Sequence, residues 1–437
     1  MYDLVIQDAT IVSSEGRLVA DIAVEDGAIA YVGPRAPGRA REKFSAIGQF
    51  VMPGIIDLNV HMRIPGNEDL ESWETASRAG MTGGVTTIID RPSGSRPTVN
   101  RENLAERRKA ARGSRVNYGF WAAGTSNNLD EARAMLDAGA VAIHADLSQE
   151  DGPLGIDDDG LVQLFEHAVG TIGVQAEQAG VIEHTRADLG DIENPEHNRV
   201  RPPNASEAAV IRLIELVRAT NRRVHISSLS TARELTLLDP LKGDLPITTE
   251  ISPHHLFLNS DTQKKTGSKL KINPPLRDEL DRRALWTGLK RNRIDVIGSG
   301  HAGYRTNVKN VPYWDAPAGI PGIETTFMLL MSAVHHGRLG LERMVALLSE
   351  NPAKILGLEK KGLIKQGYDA DLVLFTEGQL QRFDKSQLES KANWSPYVGR
   401  ELAGKPELVV VNGRIVSRRG VIADDEGRGR EVVVIRS

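Results

Sequence analysis

Asp57, Asn59 and His61 stand at alternate positions in the apolar run that leads to Arg63. Side chains alternate across a β-strand, so these three share a face, with Asp57 the deepest and His61 the last. His144 ends a second such run, Ala140 to His144, and is expected to converge on His61. Neutral imidazoles bind metals, and imidazoles titrate near neutrality, so His61, His144 and His301 are candidates for acid–base work. Two imidazoles and one deep carboxylate fall below the three protein ligands usual for catalytic zinc. The expectation is therefore a site without a metal or other cofactor, its histidines hydrogen-bonded at the mouth. His225 lies on the face opposite Ser228 and is expected to pack outward.

These residues need rigid elements to hold them. The central part alternates β-branched runs with helical segments, which is the pattern of a parallel sheet. Candidate strands are Gly54–His61, Val85–Asp90, Val116–Ala122, Ala140–His144, Thr171–Ala176, Arg223–Ser228, Pro246–Glu250 and Ile294–Ser299. Eight of them fit a TIM barrel, whose working residues sit at the C-terminal strand ends. Helices are expected between them, as in Arg101–Arg112, Leu129–Ala138, Ala205–Thr220 and Arg282–Leu289. Glu183–Asn204 is polar and reads as a long loop over the mouth. Short strands also mark both ends of the chain: Tyr2–Ile6, Ile11–Val12, Asp21–Val24 and Ala28–Val32, then Asp371–Phe375, Leu408–Val411 and Arg414–Val416 after the hairpin signal Asn412-Gly413. The expected division is a β-sandwich from residues 1–52 plus 358–437, and a (β/α)8 barrel from 53–357.

The 437 residues include no cysteine, which excludes disulfides, thiolate metal sites and cysteine nucleophiles. Net charge is -4 without blocks of like charge, which argues against a nucleic-acid surface. No segment has the length of a membrane span, and the alternating N-terminus lacks a signal-peptide pattern. A cytoplasmic location is expected. Asp157-Asp158-Asp159 lacks calcium-loop spacing and reads as a solvated turn or helix cap. No Gly-x-Ser-x-Gly elbow is present.

Longer phrases carry a resemblance. Pro53-Gly54-Ile55-Ile56-Asp57-Leu58-Asn59-Val60-His61-Met62-Arg63, Gly83-Gly84-Val85-Thr86-Thr87, Glu250-Ile251-Ser252-Pro253-His254-His255, Asn273-Pro274-Pro275-Leu276-Arg277, Ala316 to Thr325 and Gly367-Tyr368-Asp369-Ala370-Asp371-Leu372-Val373 are similar to those of the cyclic amidohydrolases, dihydroorotases above all. The resemblance implies a metal pair that activates water and an aspartate that moves protons. It also implies where their ligands would stand: Asn59, His61, His144, Gln175, Ser228 and Gly300. Only His61 is of the expected type there, and Gly300 stands in place of the aspartate. On the substrate side Arg63 matches a carboxylate-binding arginine and Asn273 a ring-contacting asparagine. Ser93 and Tyr304 occupy two further substrate positions with other residue types. Arg63 then reads either as an anion grip or as half of a structural ion pair. His254 and His255 are expected to serve the fold.

Two classes of function follow. In one, the chain is a catalytically silent dihydroorotase-like protein kept as a structural or regulatory partner, with aspartate transcarbamoylase as the implied partner. In the other, it is a cyclic-amide hydrolase or metal-independent enzyme with a rebuilt site that acts on a small carboxylated molecule. A homo-oligomer is expected in either case.

Overall fold

The computed structural model describes residues 1–149, 152–190, 192–193, 195–423 and 429–436. Eight parallel strands run in sequence order around the centre: β1 (Ile55–Val60), β2 (Val85–Asp90), β3 (Asn117–Ala123), β4 (Ala142–Asp146), β5 (Thr171–Gln175), β6 (Arg223–Ser227), β7 (Ile247–Ile251) and β8 (Val296–Ile297). The ring closes where Val60 bridges His301 in parallel, the His61 amide donating to the His301 carbonyl at 2.9 Å. Every residue of β1 and β2 is buried, as expected for strands covered on both faces.

The helices between strands start where the local chemistry permits. Ser72 caps the helix Trp73–Thr82 through a reciprocal box with Thr75, which places Glu71 at its head. Asp157 caps Asp158–His167 by accepting from the Gly160 amide at 2.8 Å, so the acidic triplet is a helix cap. The polar stretch Glu183–Asn204 is largely helical, contrary to the long loop expected. The helix Ala179–Leu189 runs into it, His197–Val200 adds a turn, and Pro203–Thr220 begins before its end. Ala179–Leu189 buries only Ala179 and Ile182, so it carries almost no apolar period to read.

Strands from both termini join a second, nine-stranded sheet with an apolar core of its own, including Leu4, Ile22, Val51, Leu372 and Val410. The two short N-terminal runs are one strand, Tyr2–Ser13, bent at a register shift between Ile6 and Ala9, with Asp8 at φ 56°. Asn412 and Gly413 take φ 48° and 79°, the pair of left-handed values that a tight hairpin needs. Two C-terminal stretches pack on the barrel. Phe383, Trp394 and Tyr397 cluster with Leu276 and Ile320, while Val432 joins Ile56 and Trp121 beneath the strands. Among the described residues no helix is long and apolar enough to cross a membrane.

Candidate functional site

A cavity of about 430 Å³ opens at the C-terminal ends of the barrel strands. Asn59, His61, Arg63, Ser93, His144, Gln175, Ser228, Asn273, Gly300 and Tyr304 all line it. Ten residues scattered through the sequence are thus brought to one space. His301 is not among its walls. It is fully buried, its Nδ1 accepting from the Gly322 amide at 3.2 Å and its Nε2 3.6 Å from a Glu71 oxygen.

The floor is an array of hydrogen bonds around Glu250, at the end of β7. Its Oε1 accepts from Asn59 Nδ2 at 2.6 Å and lies 3.4 Å from an Arg91 nitrogen, while Oε2 is 3.5 Å from His225 Nε2. Asn59 Nδ2 also donates to Ser228 Oγ at 3.0 Å. Burial alone would raise the pKa of Glu250, but the His225 hydrogen bond and the Arg91 charge hold it below the ordinary range. His225 therefore packs inward. Strict alternation fails because Ser228, just past the end of β6, takes φ 57° and turns its side chain back to the cavity. Asp57 sits lower, with Oδ1 accepting from the Ser299 and Asn59 amides at 2.9 and 3.1 Å; burial raises its pKa.

Gly298, just beyond β8, faces this array. A Cβ there would lie 2.7 Å from Asn59 Cβ and 2.8 Å from Glu250 Cδ. Gly298→Ala is expected to destabilise the fold by roughly 1–3 kcal/mol through overpacking. Urea unfolding of the variant checks this, and an unchanged midpoint would mean that the floor yields freely.

The walls carry cations. Arg63 lies over the Tyr304 ring with 4.0 Å between guanidinium carbon and centroid. Among the described residues no carboxylate is within salt-bridge distance of it. Gly319 lets the guanidinium through, since a Cβ there would stand 3.2 Å from an Arg63 nitrogen. Trp394 holds Tyr304 from behind, its Nε1 donating to the Tyr304 carbonyl at 2.8 Å. Arg201 also faces the cavity, but its charge is matched by Glu177, with nitrogen–oxygen contacts of 2.6 and 3.1 Å.

The cavity imidazoles are neutral. Burial, then Arg63, Arg91 and His301, pushes His61 well below its ordinary pKa; burial, then Arg91 and His61, does the same to His144. His144 Nε2 is buried and has no hydrogen-bond partner among the described residues. His255 is spent on the fold, bonded to Ser252 Oγ at 2.9 Å and donating to the Pro274 carbonyl at 3.1 Å. His254 shares a hydrogen bond with the Tyr397 hydroxyl at 2.8 Å. Asn273 Oδ1 accepts from His197 Nε2 at 3.0 Å, so that amide is held in place by a residue from the polar helical stretch. Because both wall imidazoles stay neutral as pH falls, affinity for a carboxylate probe is expected to change less than about twofold from pH 8 to pH 6. Tenfold tightening over that range in a binding titration would mean that an imidazolium forms.

The residues do not fit a metal pair. No group of three or more His, Asp or Glu side chains among the described residues is placed to hold a cation. Asn59 turns an N–H donor toward its neighbours, Gln175 Nε2 donates to Glu177 at 3.3 Å, and the Arg91 guanidinium sits beside them. At Gly300 (φ 63°) a Cβ would already touch Ser252 Cβ at 3.3 Å, so a larger side chain has little room. Five participants were missed by sequence reasoning: Arg91, Glu250, Glu177, Arg201 and Glu71. Arg91 and Glu250 were visible as charges at the ends of apolar strands. The other three carried no local signal.

Comparisons with known proteins agree with the fold and the phrases. Residues 50–416 match the family model described as Amidohydrolase family. A dihydroorotase of Methanothermobacter thermautotrophicus is 33% identical over 98% of this chain and 97% of its own. An L-hydantoinase of Paenarthrobacter aurescens is 30% identical over 99% and 98%. The solved structure of L-hydantoinase (dihydropyrimidinase) from Arthrobacter aurescens superposes with a TM-score of 0.93 at 28% identity, over 99% of this chain and all of the other. The chain is therefore a member of the amidohydrolase family, in its cyclic amidohydrolase branch.

Proposed function

We propose that the cavity takes a small carboxylated cyclic amide, of the dihydroorotate or hydantoin-carboxylate class, and acts on it without a metal pair. One observation carries this reading: Arg63 presents a half-buried guanidinium, with no carboxylate partner among the described residues, to a cavity of ligand size. A planar fork stacked on Tyr304 is pre-organised for a carboxylate. The amides of Gln175 and Asn273 line the same space and offer hydrogen bonds to ring N–H and C=O groups. His144, a cavity-lining imidazole kept neutral by burial, is the candidate proton acceptor. Relatives named for dihydroorotate and hydantoin support the ring class.

The test compares two rings that differ in one group. Dihydroorotate is expected to protect the protein against thermal unfolding, while dihydrouracil, which lacks the carboxylate, does not. Equal protection by both, or by neither, would overturn the reading.

The donor set at Asn59, Gln175, Ser228 and Gly300 favours a second reading. In it the fold is kept as a structural or regulatory partner of another protein, aspartate transcarbamoylase being the candidate, or of further copies of itself. Binding of dihydroorotate with no change to the ring over hours, together with a stable complex in co-purification, is the outcome that this reading expects.

A further inference from the structure

A second cavity, of about 360 Å³, opens at the opposite end of the barrel, where the strands begin. Thr171 opens β5, Arg223 opens β6, Ile247 opens β7 and Asp295 directly precedes β8, and all four line it. The helix Asn351–Leu356 lies across these starts. Thr171 pairs in register with Arg223, and its hydroxyl donates to the Ile355 carbonyl at 2.9 Å. Asn351 Nδ2 donates to the Asp295 carbonyl at 2.8 Å, which ties the first turn of that helix to the start of β8. Lys354, next to Ile355, is thereby brought to the same rim as Arg223.

The walls are apolar, formed by Val224, Leu245, Pro246, Ile247 and Ile355, and the rim is cationic. The charged residues that line it are Arg223, Lys242, Lys354 and Asp295. Lys242 is spent, its Nζ 2.6 Å from Asp295 Oδ2, which also accepts from the Thr249 amide at 2.9 Å. Arg223 and Lys354 are exposed, and among the described residues neither has a carboxylate within salt-bridge distance. Two unmatched positive charges beside an apolar hollow are complementary to a ligand with an anionic head and a hydrocarbon body. Thr248 also lines the hollow, and its hydroxyl is 3.0 Å from His225 Nδ1. His225 Nε2 is 3.5 Å from Glu250, which accepts from Asn59 of the main cavity at 2.6 Å. One layer of buried side chains thus separates the two cavities.

We infer that the hollow at the strand starts is a second binding site, for a small aliphatic monocarboxylate. The carboxylate sits at the rim on Arg223 and Lys354, and the hydrocarbon body packs against Leu245, Pro246, Ile247 and Ile355. The site is separate from the cavity of the proposed function and does not rest on that reading. Its occupant borders Thr248, and so meets from below the hydrogen-bonded layer that carries Asn59.

The test titrates isocaproate, acetate and isocaproamide by calorimetry into Arg63→Ala protein, whose main cavity has lost its own carboxylate grip. Isocaproate is expected to bind at a single site. Acetate lacks the hydrocarbon body and isocaproamide the charge, so each should bind at least about tenfold more weakly. Adding Arg223→Met and Lys354→Met together should weaken isocaproate at least about tenfold, and both positions are exposed, so the fold is kept. Leu245→Trp should block the hollow, with urea unfolding to report that the variant is folded. No binding of isocaproate, equal binding of all three probes, or binding that the paired Met variant leaves unchanged overturns the inference. Binding present in the wild type and lost in Arg63→Ala places the probe in the main cavity and overturns it too. None of these outcomes touches the proposed function, which stands or falls on dihydroorotate against dihydrouracil.

Discussion

Arg107→Met is expected to cost roughly 3–5 kcal/mol of stability, because it strands a buried carboxylate. Arg107 comes from the helix Arg101–Ala111 and is fully buried, its guanidinium paired with Asp90 at the end of β2. It also donates to the Ser93 carbonyl and, at 3.1 Å, to that of Arg96. Asp90 Oδ1 in turn accepts from the Met62 amide at 3.0 Å, which ties the β1 loop carrying Arg63 to β2. Burial raises the pKa of Asp90 and Arg107 opposes that, so without the guanidinium the carboxylate must stay buried unpaired or take up a proton. Removing both partners should cost less than removing one. Urea unfolding of Arg107→Met and of the double variant Asp90→Asn/Arg107→Met tests this. The account expects the double variant to be the more stable of the two. A double variant that is as unstable as Arg107→Met, or more so, would contradict it.

Arg63→Ala is expected to have the opposite profile: a large loss of binding and almost no loss of stability. Asp90 keeps its direct partner Arg107, and Arg63 adds only a weaker, longer-range charge to its balance. Removing Arg63 deletes a half-buried cation stacked on the Tyr304 ring, so the midpoint of unfolding should change little. Affinity for a carboxylate ligand should fall by about 30-fold or more, since truncating one side of a desolvated charge pair costs 2 kcal/mol or above. Arg63→Lys should restore little, because an ammonium cannot offer two parallel donors from a stacked plane. Calorimetric titration beside urea unfolding separates the two profiles. A loss of several kcal/mol in unfolding free energy would mean that Arg63 is structural after all.

Much of this architecture was legible because its signals are local. β2 is a run of β-branched residues from Val85 to Ile89 closed by Asp90, and its bounds match the expectation residue for residue. The Asn412-Gly413 turn was readable for the same reason, since only certain residues tolerate both left-handed values. Ala179–Leu189 was not, because a helix that is exposed almost all round leaves no period in its sequence.

In the site, alternation placed Asp57, Asn59 and His61 on one inward face, as observed. The same rule misplaced His225, because it has no way to register the left-handed turn at Ser228. Glu250 and Arg91 meet across the barrel between β7 and β2, a pairing that only the closed ring creates. Glu71 reaches His301 because the ring closure brings the end of β8 back to β1. Pairs of that kind have no fixed spacing in sequence, so their members looked like isolated charges. The family phrases pointed to metal chemistry, and the side chains at Asn59, Gln175, Ser228 and Gly300 point away from it. Site residues, not fold, must decide function here.

The central claim is that this site holds its ligand without a metal ion. The most direct test is calorimetric titration of dihydroorotate into chelator-treated protein, repeated after adding an equivalent of zinc. The account predicts binding of equal affinity in both, set by Arg63 and unaffected by zinc. Binding that appears only after zinc is added, with one or two equivalents retained on gel filtration, would contradict it.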